Sequence, residues 1–435
     1  MHATRRIAAI VSALVFPAAA ARAEPLTLSD ALRLAQQDAL ANRKAASEVR
    51  RTEWQRASAW SQVGPKVQLT YDVQWWNNEI RFELPPEFQS LAPEGVSGGV
   101  VRPKRTYTFG VTVVQPLSTL YQAFLGVRLA SLQVDVARVD EVRVRRETRR
   151  QTVETFFEVL KAQAQVASLE AMRRTAQAHL EQVRNFYEQG LSKRDDVLRV
   201  EVQAARLSQA LVAARTAAEV ACGRLALLIG RSPGMDCVLV DDQEPPEVPA
   251  DPDSLVLEAL KTRAEVTLAR LALAAARTAR LLKAGDYLPQ VAGVFNYSRT
   301  PSTEFSHPKA WFFGINLTWT PWEWGRTYFE LRAATDEVAK AEVAVREVEE
   351  FVRLEVRSAW LQVEAARQGL EAAAPAVEQA RENLRIQLER ARQQLNTTSD
   401  VLDAESLLVQ AEADRDAARY GYRVAVERLL DAIGR

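Results

Sequence analysis

The stretch Val67-Gln68-Leu69-Thr70-Tyr71-Asp72-Val73-Gln74-Trp75 alternates apolar and polar residues without a break. A period of two puts Val67, Leu69, Tyr71, Val73 and Trp75 on one face of a β-strand and Gln68, Thr70, Asp72 and Gln74 on the other. The length is that of a tilted membrane-crossing strand, about 9–11 residues. Three further segments repeat the pattern. Tyr107, Phe109, Val111 and Val113 oppose Thr108, Gly110 and Thr112. Val291, Phe295 and Tyr297 oppose Gln290 and Asn296, although Ala292 and Val294 blur the alternation, and Trp311, Phe313, Ile315, Leu317 and Trp319 oppose Gly314, Asn316, Thr318 and Thr320. Alternation alone fits half-buried strands of a soluble sandwich equally well. The aromatic residues separate the two readings, because Trp75, Trp76, Trp311, Trp319, Trp322 and Trp324 lie in these strands or at their ends, where amphipathic rings meet a membrane interface.

The strands form two hairpins, 67–116 and 290–321. The first has a long Pro/Gly-rich loop from Asn77 to Lys104 and the second a shorter one around Arg299 to Lys309, and long loops on one side suit a cell-exterior face. Everything between the hairpins reads as helix. The runs Leu120–Gln189 and Thr327–Gln393 are each about 70 residues, or about 105 Å at 1.5 Å per residue, broken in pattern only by an early glycine in the first and by Gly369 and Pro375 in the second. Shorter helices are expected over 29–62, 194–229, 253–286 and 397–433, so that end-to-end pairs match the long ones. Thr27 with Asp30 reads as a capping box, and Asp251-Pro252 places proline at a first helical position. Leu331, Ala334, Val338, Ala341, Val345, Val348 and Val352 recur at 3,4 spacing, a coiled-coil seam with small knobs. The whole reads as one plan used twice, over 24–235 and 253–435, joined by a Pro-rich linker, 236–252.

Composition narrows the class. With 56 basic and 56 acidic residues in 435, no global field points to nucleic acid. Residues 1–23 are expected to be a secretory signal: Arg5 and Arg6, then the apolar Ile7 to Phe16, then Ala21-Arg22-Ala23 as a cleavage site. Nowhere do about 18 consecutive apolar residues occur, so membrane entry is expected only as a barrel. The two cysteines, Cys222 and Cys237, are suited either to a disulfide in an oxidising compartment or to two buried thiols. Gly95-Val96-Ser97-Gly98-Gly99 fits a serine-nucleophile pattern, but that motif needs a strand before it, a helix after it and downstream acid and histidine partners; here it sits in a Gly/Pro loop between barrel strands, and only His179 and His307 remain after cleavage. Metal-ligand spacings are absent from the sequence.

Four segments carry a family likeness: Leu26-Thr27-Leu28-Ser29-Asp30-Ala31-Leu32-Arg33-Leu34-Ala35; Gly110-Val111-Thr112-Val113-Val114-Gln115-Pro116-Leu117; Gly190-Leu191-Ser192-Lys193-Arg194-Asp195-Asp196-Val197-Leu198; and Leu395 to Leu402 followed by Asp403-Ala404. In their order and spacing they resemble the TolC-type outer-membrane efflux family. The resemblance covers essentially the whole chain after residue 23. It implies an α+β membrane protein, a homotrimer whose protomers give four strands each to a twelve-stranded β-barrel continued by a long α-helical barrel, with a small equatorial region. It implies an exit duct in the outer membrane, set in lipid and passively conducting, with no enzyme activity and no cofactor. Its partners would be a periplasmic adaptor and an inner-membrane pump of RND, ABC or MFS type. The rival is a periplasmic or surface coiled-coil scaffold without a channel.

By the same resemblance the functional site is the pair of helical tips, 190–196 and 394–400. Asp400 and Asp403 match acids of the periplasmic constriction, and Asp196 matches an acid that helps lock the closed state against the second hairpin. Gly190, Leu191, Ser192, Lys193, Leu395 and Asn396 are the candidates for touching an adaptor. The sequence departs from the family at Ala391, Gln394 and Asn396, where tyrosine, glycine and arginine are expected, with Arg390 or Arg392 as substitutes. The plainer reading of the acids is helix capping, Ser192 before Asp195 and Thr397 before Asp400.

Overall fold

The computed structural model describes residues 25–83, 85, 87, 98–235, 237–241, 251–300, 307–393 and 395–435. The expected leader 1–23, Gly95 to Ser97 of the serine motif, Gln394 and most of the 236–252 linker lie outside the described residues. The chain divides into two compact units, one formed by residues up to 39, 151–246 and 366–424, the other by 40–150, 247–365 and 425–435. Helices α3 (Leu120–Glu188) and α7 (Arg326–Arg392) contribute to both.

The second unit carries the sheet. Strands β2 (Lys66–Trp75), β5 (Arg105–Pro116), β7 (Gln290–Arg299) and β8 (Lys309–Thr318) pair antiparallel in that order. The register aligns the alternation across strands. Val67, Val113, Phe295 and Phe313 form one row, and Leu69, Val111, Tyr297 and Trp311 the next. Between them run Gln68, Thr112, Asn296 and Phe312, with the Asn296 amide donating to Thr112 Oγ1 at 2.8 Å. At Gly110 a Cβ would come within 2.5 Å of Thr70 Oγ1, so a larger residue there requires the Thr70 hydroxyl to turn away. Beyond β2, the loop 77–104 is not wholly irregular. Strands β3 (Ile80–Glu83) and β4 (Gly98–Arg102) form a short antiparallel ribbon within it, so a strand follows the serine motif instead of the helix a nucleophile elbow needs.

In the same unit α2 (Leu40–Trp60) precedes β2, and α5 (Pro252–Thr262) and α6 (Ala264–Gly285) precede β7. Ion pairs Arg270–Glu349, Arg277–Glu342 and Lys283–Glu330, each 2.8 Å, run along α6 and α7. Every member of the 3,4 seam from Leu331 to Val352 is buried or half-buried. Each expected single helix ahead of a hairpin is in fact two. The 29–62 helix breaks at Ala39 (ψ 128°) into α1 (Leu28–Asp38) and α2, and the 253–286 helix breaks at Arg263 (ψ 130°) into α5 and α6. Neither site has proline or glycine. At Arg263 the cause is tertiary, since its buried guanidinium bonds Glu265 and Glu355 at 2.8 Å and the Ala432 carbonyl at 3.2 Å. Asp251 caps α5 through the Asp253 and Ser254 amides, with Pro252 at the first position as expected. Pro375 does not end α7, which runs on to Arg392.

In the first unit, β1 (Leu26–Thr27) pairs parallel with β6 (Leu239–Val240), and Thr27 caps α1 by accepting from the Asp30 amide at 3.2 Å. Leu28, Phe156, Phe157, Leu225 and Ile229 pack beside them. A disulfide joins Cys222, on α4 (Arg194–Leu228), to Cys237 just before β6. By closing a short loop it restrains the unfolded chain, an effect of about 3 kcal/mol for 15 residues.

Candidate functional site

Both tips belong to the first unit. α3 ends in a paired-bond cap: Gly190, in the left-handed region (φ 73°), donates to the Tyr187 carbonyl at 2.9 Å, and Leu191 donates to that of Phe186 at 2.8 Å. A side chain with Cβ is strained at that φ, which explains glycine at the turn. Leu191 is then left 57 % exposed. The cap of α4 sits one residue later than the expected Ser192/Asp195 pair. Lys193 is the N-cap residue, and Asp196 accepts from its amide and from Ser192 Oγ, both at 3.2 Å. Asp196, expected to reach the second hairpin, thus makes these bonds inside its own tip.

The second tip is built more completely. Thr397 accepts from the Asp400 amide at 3.3 Å, while Asp400 accepts from the Thr397 amide at 2.8 Å and hydroxyl at 2.7 Å, opening α8 (Thr398–Ala432) with a full capping box. The hydroxyl bond, then the amide bond, holds the Asp400 carboxyl below its usual range. Asn396 donates to the Gln387 carbonyl at 3.0 Å and to its side chain at 2.9 Å, and Leu395 stands 70 % exposed. Arg392 pairs with Glu389 on its own helix at 3.0 Å, and Ala391 packs against the apolar core.

Asp403 lies exposed one turn after Asp400. With Leu402 and Ser406 of α8 it walls an open groove whose other side is Asp195, Arg199 and Arg206 of α4. The fold thus places Asp403 and Asp195 on opposite sides of one groove. Among the described residues no group of three or more His, Cys, Asp or Glu side chains is placed to hold a metal. Sequence reasoning missed one polar feature behind the tips, His179 of α3 and Glu405 of α8, both almost fully buried. A lone histidine on an amphipathic helix and a glutamate on another give no signal that they meet.

The family model described as "Outer membrane efflux protein" matches residues 31–231 and 255–435. Three solved structures share the fold. VceC of Vibrio cholerae is 17 % identical at a TM-score of 0.74, over 94 % of this chain and 96 % of its own. CmeC of Campylobacter jejuni, an outer membrane channel, is 15 % identical at 0.77, over 94 % and 85 %. The open-state outer membrane channel MtrE of Neisseria gonorrhoeae is 17 % identical at 0.74, over 94 % and 88 %. Comparison with curated protein sequences returns no match. The chain belongs to the outer membrane efflux protein family, and is an outer-membrane channel extending into the periplasm and not an enzyme.

Proposed function

We propose that three copies of the chain close their four-stranded sheets into a twelve-stranded barrel, and that the assembly is the passive exit duct of a tripartite efflux or type I secretion-like system. The observation that carries this reading is the sheet. Its outer strands, β2 and β8, have no partner on their free edges among the described residues, and Leu69, Trp311, Phe313 and Ile315 on it are each about 70 % exposed. A bare edge and an apolar face are both unfavourable in water and both resolved in a closed barrel in lipid. An even number of antiparallel strands lets β8 of one copy meet β2 of the next in the same sense, so a rotation closes the ring. The two halves, 24–235 and 253–435, repeat one plan in this reading, after removal of 1–23 and with 236–252 as an equatorial linker. Near-equal helices, 69 and 67 residues for α3 and α7 and 35 each for α4 and α8, support it.

The tips are then the periplasmic end. Gly190 to Lys193, with Leu395 and Asn396, meet a periplasmic adaptor bound to an inner-membrane pump. Asp400 and Asp403 from three copies form a ring of carboxylates that draws cations, with Asp196 supporting the first tip. Single-channel recording in planar bilayers tests this. Block by a trivalent cation from the periplasmic side is expected in the wild type and abolished in Asp400→Ala/Asp403→Ala; identical block in both removes these acids from the constriction.

A further inference from the structure

The apolar face of the sheet ends differently at its two ends. Beyond the rows that begin with Val67 and Leu69, the register aligns a third row, Tyr71, Phe109, Arg299 and Lys309. Further out on the same face Arg105 stands opposite Trp75, its guanidinium 5.9 Å from the indole ring. Arg105, Arg299 and Lys309 are all exposed. At the helix end the same face closes on Gln115, Val291 and Leu317 and carries no charge. The opposite face of the four strands holds only Lys66, at the helix end, and Asp72. Every charge on the apolar face is therefore a cation, and every one lies at the loop end.

Arg299 and Lys309 are register partners, side by side on one face. Like charges set directly opposite each other destabilise a sheet unless something of the other sign comes between them. Neither has an acid partner among the described residues. Of the acids in the adjoining 77–104 loop, Glu79 is engaged with Arg81 at 3.1 Å. Snorkelling explains single cations at either rim of a membrane protein. It does not explain cations confined to one rim with two of them set against each other.

We propose that Arg299 and Lys309, with Arg105 further out, form a binding site for the phosphate groups of the glycolipid that makes up the outer leaflet of the outer membrane. The inference rests on the barrel reading, which sets this face in lipid and its loop end outside. A phosphate between the two opposed cations replaces their repulsion with charge-assisted hydrogen bonds, and the guanidinium of Arg299 can meet two of its oxygens at once. The rows beneath, Tyr71 with Phe109 and Leu69 with Trp311, offer the acyl chains an apolar bed. Closure of the ring brings Lys309 on β8 to the β2 strand of the next copy, so the sites join into a cationic band around the rim. The inner leaflet is largely zwitterionic phospholipid, and the uncharged helix end of the face suits it.

The test titrates the assembled protein in detergent with diphosphoryl lipid A, and with the same lipid stripped of phosphate, and counts bound lipid by native mass spectrometry. The phosphorylated lipid is expected to bind at least about tenfold more tightly than the stripped one. Arg299→Gln/Lys309→Gln is expected to weaken its binding by about thirtyfold, while Lys66→Gln, on the other face and at the other end, leaves it unchanged. Equal binding of the two lipids by the wild type overturns the proposal without recourse to any variant. So does a double variant that binds as the wild type does, or a Lys66→Gln that loses as much as the double variant. Conductance in planar bilayers separates the two readings. A double variant that conducts normally and keeps the lipid overturns the site and leaves the duct standing, whereas a wild type that forms no channel removes the duct and the site with it.

Discussion

On the sheet, Leu69, Trp311 and Phe313 stand out into the surroundings while Thr112 and Asn296, in the row between, bond to each other. Near the tips, His179 and Glu405 lie buried while Leu191 and Leu395 are exposed. Both regions invert the inside-apolar rule of soluble proteins, for different physical reasons. The sheet's outward rows are extensive and aligned across four strands, so one solvent change, water to lipid, satisfies them all. The buried pair is local: His179 Nδ1 and both Glu405 carboxylate oxygens are buried without a hydrogen-bond partner among the described residues. An inversion that is periodic is answered by a change of surroundings; one that is isolated is a local cost.

The largest expected effect separates the two faces of the sheet. Val111 lies in an apolar row and Thr112 beside it in a polar one. Val111→Arg is expected to destabilise the assembled protein by about 2 to 4 kcal/mol if that row sits at mid-bilayer. Thr112→Arg, which loses the bond from Asn296, is expected to cost about 1 kcal/mol. Urea unfolding of the protein in vesicles measures both, and equal losses at the two positions would break the comparison by denying the sheet a lipid face.

How much of this was legible in the sequence divides along the same line. The strands were, because a period of two is written into Val67 to Trp75 and Trp311 to Trp319, and the register added only that the rows line up. The caps at Thr27, Asp251 and Thr397 were also legible, since the acceptor and the amide it serves lie within three residues. The breaks at Ala39 and Arg263 were not. Alanine and arginine are good helix formers, and the Arg263 break depends on Glu355 and Ala432, distant in sequence. The His179–Glu405 pair was hidden for the same reason, its partners being separated by most of the second half of the chain. The first tip was legible as a tip but misread by one residue, because Ser192 is a better cap former than Lys193, yet the chain leaves Gly190 in a geometry that makes Lys193 the N-cap.

That misreading leads to the smallest and sharpest prediction, a contrast between the tips. At the second tip the Thr397 hydroxyl both accepts from the Asp400 amide and donates to its carboxylate, so Thr397→Ala removes both bonds and is expected to cost about 1 kcal/mol at the start of α8. At the first tip Ser192 only donates to Asp196, which keeps the Lys193 amide when the hydroxyl is gone, so Ser192→Ala should change α4 by a few tenths of a kcal/mol. Amide exchange resolves the two, with about fivefold faster exchange expected in the first turn of α8 in Thr397→Ala and little change in α4 in Ser192→Ala. The consequence extends to charge. Loss of the Thr397 hydroxyl removes the largest influence holding Asp400 low, so the Asp400 carboxyl should titrate at higher pH in Thr397→Ala. An Asp400 titration unmoved in that variant would mean that the acids of the second tip are set by the ring of neighbouring copies and not by their own cap.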